Sequence, residues 1–471
     1  MLPLLANLDA KLFGAPTAGM FPDKVSSAPY IWDDGQDVIF SKEDVRSAGQ
    51  RSLVLTITTA RGLSALRRQS GVQELFYGTL TEIYRSVALG GPTSVGSGFT
   101  TAQHETATGL AGHWQFAPWG EWMLASNGAS RIQVSKAGAA FANLQQGGTT
   151  PLAITSARLL NRFGAYILAA NTNVGTTSVH WCSDDNPEDW IPSEINTAGD
   201  YVIRDADSEL VCSCELADKL AYYTRASMSV VTYIGAPFVF SFSKALKGIG
   251  AWGGKSVAAA GRRNYGWGPQ GMWETDGVSF TFIDDEVVRV WLATRLYRAQ
   301  ASKIVAYHNE DRHCIEWSYP TTASGENAET IVFDYQTRSW HRSSRPFSAA
   351  LDREVFGYAM TANGTTLFAE GSGAYGTPLL LSKPLAFGDP GQEFFLSDIR
   401  VIHEGTLTVT VGLMDDLNET TTWLPAASLA DNWDNVEVFR TARFFRIKIE
   451  GATAWRVTSV LFYGKAMGYR L

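Results

Sequence analysis

Glu121 to Val134 reads EWMLASNGASRIQV, a short apolar run, then Asn127-Gly128, then a second alternating run. Asn-Gly is a strong two-residue hairpin signal, because both residues tolerate positive φ. The same strand–turn–strand pattern recurs in Glu74 to Val87, Tyr166 to Trp181, Ala221 to Gly235, Gly271 to Asp284, Ile304 to Tyr319 and Tyr358 to Gly371. Centred on Gly78, Gly128, Gly175, Ala226, Gly277, Asp311 and Gly364, the repeats are 47 to 53 residues apart, except for one step of 34. A hairpin cannot bury its own face, so units of this length predict the four-stranded blades of a β-propeller. Seven blades are expected, with six or eight also fitting the spacing. The 34-residue step would mark a lost or reshaped blade.

The closing stretch differs. Thr406 to Val411 (TLTVTV) and Phe444 to Ile449 (FFRIKI) alternate as half-buried antiparallel strands do. The expected division is an N-terminal β segment over residues 1–70, the propeller over 71–378 and a C-terminal β-sandwich over 393–471. The two terminal segments would form one platform, with Leu379 to Gln392 as the connection. Helical period is scarce: Leu53 to Leu66 is ambiguous, and Leu292 to Ile304 predicts one short helix.

Composition agrees with an all-β chain. Of 471 residues, 45% are hydrophobic, and 15 Trp, 17 Tyr and 24 Phe can build a large core. This excludes disorder and a coiled coil. The net charge of −8 argues against a surface that grips nucleic acid through many phosphates. Four cysteines, with Cys212 and Cys214 on one strand face, read as buried thiols, not a disulfide frame or zinc site. The first residues lack a basic region ahead of the apolar run, so no signal peptide is expected. No apolar run of membrane-spanning length is present.

Candidate chemistry is sparse. Gly266-Trp-Gly268-Pro-Gln-Gly271 has dinucleotide-loop spacing, but a strand follows it where a helix is needed. Ser183, Asp185 and Trp190 match the Asp-box turn of sialidase-type propellers, with Pro187 and Asp189 departing from it. Such a turn is structural. Asp284, Asp285 and Glu286, or Asp184 and Asp185, could serve glycoside hydrolysis only if held opposite one another. Arg262, Arg263, Arg295 and Arg298 would have to converge on a substrate carboxylate. His308 and His313 flank a predicted turn. No catalytic residue, cofactor or metal ligand is assigned.

Two Gly-rich, low-charge stretches, 90–112 and 248–254, predict exposed loops. Arg440, Arg443 and Arg446 lie on or near a strand of the sandwich and are candidates for subunit or adaptor docking.

The order of segments resembles the tail nozzle proteins of short-tailed bacteriophages, also called tail tubular protein B or packaged-DNA stabilisation protein. The likeness rests on Trp32-Asp-Asp-Gly35, Leu75-Phe-Tyr-Gly-Thr79, Val179 to Trp190, Met228 to Pro237, Gly271 to Gly277 and the closing block Arg443 to Ile449 through Arg470. The resemblance implies a non-enzymatic virion protein, made in the host cytoplasm and built into the tail as a homohexameric ring. Its partners would be the tail adaptor or tail tube protein and tail fibres or receptor-binding proteins. Genomic double-stranded DNA would be retained by the ring and leave through it. An acidic channel repels phosphates, so DNA would slide and a gate would be steric. Gly90, Gly96, Gly98, His104, Gly248, Gly250 and Gly253 are the candidate gate residues. The competing expectation is a propeller-fold glycosidase, sialidase-like, or a carbohydrate-binding protein.

Overall fold

The computed structural model describes residues 9–13, 32–41, 44–49, 51–100, 113–321, 325–371, 373, 376–387, 392–430 and 434–469. Seven four-stranded units form among these residues. Their innermost strands are Leu63–Arg67, Gln115–Trp119, Ala157–Phe163, Cys212–Leu216, Val257–Ala260, Val305–Asn309 and Ala349–Leu351. Each inner strand touches the next, and the seventh touches the first, so the blades close a ring. The fold is all-β: a seven-bladed propeller carrying a β-sandwich.

Closure uses a strand from far away in sequence. The seventh blade takes its outermost strand, Ser52–Thr56, from ahead of the first blade, pairing Leu55 with Leu367 and Ser52 with Ala369. Opening the ring would therefore have to break a sheet. The ambiguous run Leu53 to Leu66 resolves into two strands on different blades. The propeller thus begins near residue 52, not 71, because Ser52–Thr56 and Leu63–Arg67 are blade strands.

The short step has a plain origin. Five of the seven predicted turns join the second and third strands of a blade. Asp276-Gly277 instead joins the third and fourth strands of blade five, and Asp311 joins the first and second of blade six. No blade is lost. The central hairpin of blade five turns at Pro269-Gln270, between paired Gly268 and Gly271. The expected helix is displaced. It spans Glu286–Arg295 because Asp285 caps it, accepting the Val288 N–H at 2.8 Å. A 3₁₀ segment, Arg298–Lys303, follows.

The sandwich takes strands from both ends of the chain. One sheet runs Val38–Phe40, Val45–Ser47, Arg456–Tyr469, Gln392–Glu404, Asn435–Ala442, with Asp9–Phe13 also paired to Arg456–Tyr469. The other contains Trp32–Gln36, Leu379–Ser382, Phe444–Glu450 and Leu407–Met414. Their alternating inner faces enclose Phe387, Phe394, Phe445 and Phe462. Residues 379–387, expected as a connection, lie within this body: Leu380, Leu385 and Phe387 are buried in its core.

Sandwich and propeller share one sheet. Trp32–Gln36 runs parallel to Ser339–Ser343 of blade six, through Gln36 and Arg342, and antiparallel to Leu379–Ser382 on its other side. Side chains reinforce the seam. Arg342 grips the Asp34 carboxylate with two N–H groups, Nε to Oδ1 at 2.8 Å. Asp37, almost fully buried, accepts from the Ser343 hydroxyl and the Ser344 N–H, each at 3.0 Å. Arg345 donates to the Ser343 hydroxyl at 2.9 Å, faces Asp37 at 3.8 Å and reaches Glu370 of blade seven at 3.0 Å. Removing one member of such a buried charge cluster typically costs about 3–5 kcal/mol, because the partner charges stay buried. Arg345→Ala is expected to lower stability by that amount and to split the calorimetric unfolding endotherm into separate sandwich and propeller transitions. A single transition with an unchanged midpoint would contradict the seam.

Candidate functional site

A propeller offers three kinds of surface: the axis, the two faces, and the outer edges of the blades. At the face where the inner strands begin, the axis is filled. His113, just ahead of the inner strand of blade two, places Nε2 at 3.4 Å from the Ser302 carbonyl, just ahead of blade six. These blades are not neighbours in the ring, so this contact crosses the axis. Gly253 packs so closely that a Cβ there would lie 2.1 Å from the Ser302 oxygen. A Cβ on Gly250 would meet the Arg225 carbonyl carbon at 2.2 Å. Cys212 Sγ donates to the Gly254 carbonyl at 3.5 Å.

This corrects the reading of 248–254 as an exposed, movable loop. Gly248 is exposed, but Gly250, Gly253 and Gly254 are buried. Glycine is required there by backbone approach, not by mobility. In the other stretch, Gly90 and Gly98 are exposed, and Gly96 ends the outermost strand of blade one beside Phe99 and Phe141. That edge is remote from the axial plug, so the structure does not bring the two sets of gate candidates together. His104 lies outside the described residues.

At the opposite face the axis opens into a recess of about 590 Å³. Its lining includes Cys214, Glu215 and Lys255, together with Asp352 and Glu354 from blade seven. Burial, then the Glu354 and Asp352 carboxylates, raises the Glu215 pKa. Burial pulls the Lys255 ammonium down. Sequence reading missed this set, since its members come from three blades and share no motif.

The sequence candidates for catalysis are structural. Asp284 is buried, accepts the Met272 N–H at 3.0 Å and pairs with Arg289 at 2.9 Å. Asp285 caps a helix, so the two acids face different partners. The Asp-box-like stretch lies between the third and fourth strands of blade three. There Ser183 N–H donates to the Asp189 carbonyl at 2.7 Å and the Trp190 indole to Pro187 at 2.8 Å. Asp184 accepts from the Thr197 hydroxyl at 2.9 Å. Arg263 pairs with Glu274 at 3.2 Å and Arg295 with Glu329 at 3.0 Å, on separate sheets. His308 and His313 both reach the Tyr335 hydroxyl, at 3.2 and 3.5 Å. Among the described residues no cluster of His, Cys, Asp and Glu is placed to hold a metal. The dinucleotide-like glycines form a hairpin, and a Cβ on Gly266 would strike the Trp273 ring at 2.3 Å.

Of the docking arginines, Arg446 is a seam residue. It pairs with Asp33 and donates Nε to the Ser382 carbonyl at 3.1 Å, so it is not free to dock. Arg443 is half-buried, with its Nε unpartnered. Arg440 is exposed beside the exposed ring of Phe439.

Blades three and four carry an apolar groove on their outer edge. Tyr201 stacks on Phe242, with centroids 4.2 Å apart and planes 13° from parallel. Ile195 is 97% exposed and Phe238 74%, with Tyr233 and Ile234 exposed beside the same strand end. Contiguous apolar surface of this kind marks contact sites.

The sequence matches no family model and no curated protein. Solved propellers resemble it in outline. YCF48 from Cyanidioschyzon merolae superposes with a TM-score of 0.41 at 10% identity, covering 68% of this chain and 98% of that one. The WD40 propeller domain of Doa1 gives 0.40 at 9%, covering 68% and 96%. Virginiamycin B lyase from Staphylococcus aureus gives 0.39 at 11%, covering 68% and 96%. Likeness at this level carries nothing about ligand or activity.

Two outcomes follow from the axial plug. Gly253→Ala should lower stability by about 1–3 kcal/mol through overpacking, whereas Gly91→Ala, with open space around it, should be neutral; equal thermal midpoints would refute the plug. Acid should also weaken the fold. Burial first, then neighbouring cations, holds His113 down to about 3; burial chiefly holds His341 to about 4. Below pH 6.5 the unfolded chain takes up protons that the folded chain refuses, so stability falls with pH. The slope approaches about 1.4 kcal/mol per unit for each histidine. Urea titrations at pH 7, 5.5 and 4.5 should show a shallower decline for His113→Gln/His341→Gln than for the parent. An identical decline would rule these histidines out.

Proposed function

We propose that the chain is a non-enzymatic virion protein: the nozzle of a short phage tail, assembled as a homohexameric ring that retains packaged DNA and lets it leave. The groove on blades three and four carries this reading. A rigid two-body subunit with an apolar groove at one edge has what a head-to-tail ring contact needs. The acids and arginines weighed for catalysis are bound up in caps, turns and ion pairs, which supports a structural role. Arg440 and Phe439, exposed on the sandwich edge, would meet the tail adaptor or tail tube protein. Because the axis of each propeller is plugged at one face, DNA would pass between subunits, through the bore of the ring.

Native mass spectrometry and negative-stain electron microscopy should show six-fold rings with a bore wide enough for a duplex. Phe238→Glu/Ile195→Glu should disperse the rings to monomers with the thermal midpoint unchanged, since both side chains are exposed. A parent protein that stays monomeric at all concentrations, and is absent from purified phage particles, would overturn the proposal.

A further inference from the structure

The axial recess holds polar groups that the fold leaves without partners. Lys255 is half-buried between the inner strands and lines the recess. Among the described residues it has no ion-pair or hydrogen-bond partner for its ammonium; the Cys212 and Cys214 thiols beside it are held neutral by burial. Ser213, lining the same recess, has a buried hydroxyl with no hydrogen-bond partner. A half-buried, unpaired ammonium is partly desolvated, and a carboxylate brought to it would supply the missing partner.

The recess has the opposite character further out. Glu215, Asp352 and Glu354 form no ion pair among the described residues, although Arg162 lies near enough to Glu215 to favour its charged form. Arg353, between two of them in sequence, lines the same recess but is held there by two further lining carboxylates, Glu310 at 3.4 Å and Asp311 at 2.5 Å. Among the described residues Asp352 Oδ1 accepts the Glu354 N–H, at 3.3 Å. Uncompensated carboxylates around a partly enclosed opening attract a cation more strongly than the same charges on a flat surface. A cation at the floor and, further out, five lining carboxylates, of which Glu310 and Asp311 are taken up by Arg353, thus specify both ends of a ligand and its direction of insertion. The volume falls in the range that holds small ligands.

We propose that this recess binds a carboxylate followed at side-chain length by an ammonium or guanidinium group, as at the C-terminus of a basic peptide. The carboxylate lies on Lys255 and the Ser213 hydroxyl, and the cation lies on Glu215, Asp352 and Glu354. This site belongs to the propeller alone, so it stands or falls separately from ring assembly.

Calorimetric titration of the full chain with the dipeptide lysyl-lysine, its C-terminal amide and free lysine tests it. The free acid should bind saturably, and the amide, which keeps both side-chain cations, should bind at least tenfold more weakly. Lys255→Met should erase that difference, with tryptophan fluorescence verifying the fold. Ser213→Ala should reduce it severalfold. Glu215→Gln/Glu354→Gln should weaken acid and amide alike. Free lysine binding as tightly as the dipeptide would assign the site to small zwitterions within the same chemistry. No saturable binding at millimolar peptide, equal affinity for acid and amide, or discrimination that survives Lys255→Met would overturn the proposal.

Discussion

Everything in this molecule depends on the seam where Trp32–Gln36 joins blade six. A propeller ring and a β-sandwich are each self-contained ways of burying sheet faces. Joined by a flexible linker they would move independently. Here one ten-stranded sheet runs through both, and the first strand beyond the blade comes from the N-terminal segment. The Asp37 N–H donates to the Arg342 carbonyl at 2.9 Å, while its carboxylate organises Ser343 and Ser344. Arg345 then ties that cluster to Glu370 in the blade that closes the ring. The chain therefore leaves the platform, closes the propeller and returns to the platform through one small buried polar network.

Two further constraints follow from the ring. The seventh blade is completed by Ser52–Thr56, so the segment that leaves the seam immediately closes the circle. The other is axial crowding. Seven blades leave a narrow centre, and here backbone crowds it: Gly253 packs against the Ser302 carbonyl. Small residues at the axis let the loops ahead of blades two, five and six meet. The same closure leaves a recess open to one face only, lined by an ammonium that the fold does not pair.

Much of this was legible in the sequence, and the exceptions have physical causes. Asn127-Gly128 and Asn363-Gly364 both marked central hairpins, but only the second is tight, with Asn363 paired to Thr366; the first opens a longer loop, with Ala125 paired to Gln133. Asp276-Gly277 was an equally good turn in the wrong place within its blade, since turn chemistry does not say which pair of strands it joins. The central turn of blade five, Pro269-Gln270, was instead hidden inside an apparent nucleotide motif. Alternation in Phe444 to Ile449 revealed a half-buried sandwich strand. Its partnership with Leu379–Ser382 is a long-range pairing that no local pattern shows. Glycine content misled at 248–254, because close approach and flexibility use the same residue. The recess of Lys255, Ser213 and the three carboxylates was illegible for a related reason. It exists only once separate blades are wrapped around an axis: Ser213 and Glu215 look like ordinary strand residues, and Lys255, Asp352 and Glu354 like ordinary charges flanking strands.

Native-state hydrogen exchange on the intact chain, read by mass spectrometry of peptides covering 32–40 and 314–320, tests the shared sheet most directly. If the seam makes one body of the two, both peptides become exchangeable through the same global opening, with opening constants agreeing within about tenfold. Exchange of 32–40 through a far cheaper opening, shared with the sandwich strands while 314–320 stays protected, would mean that the platform only leans on the propeller.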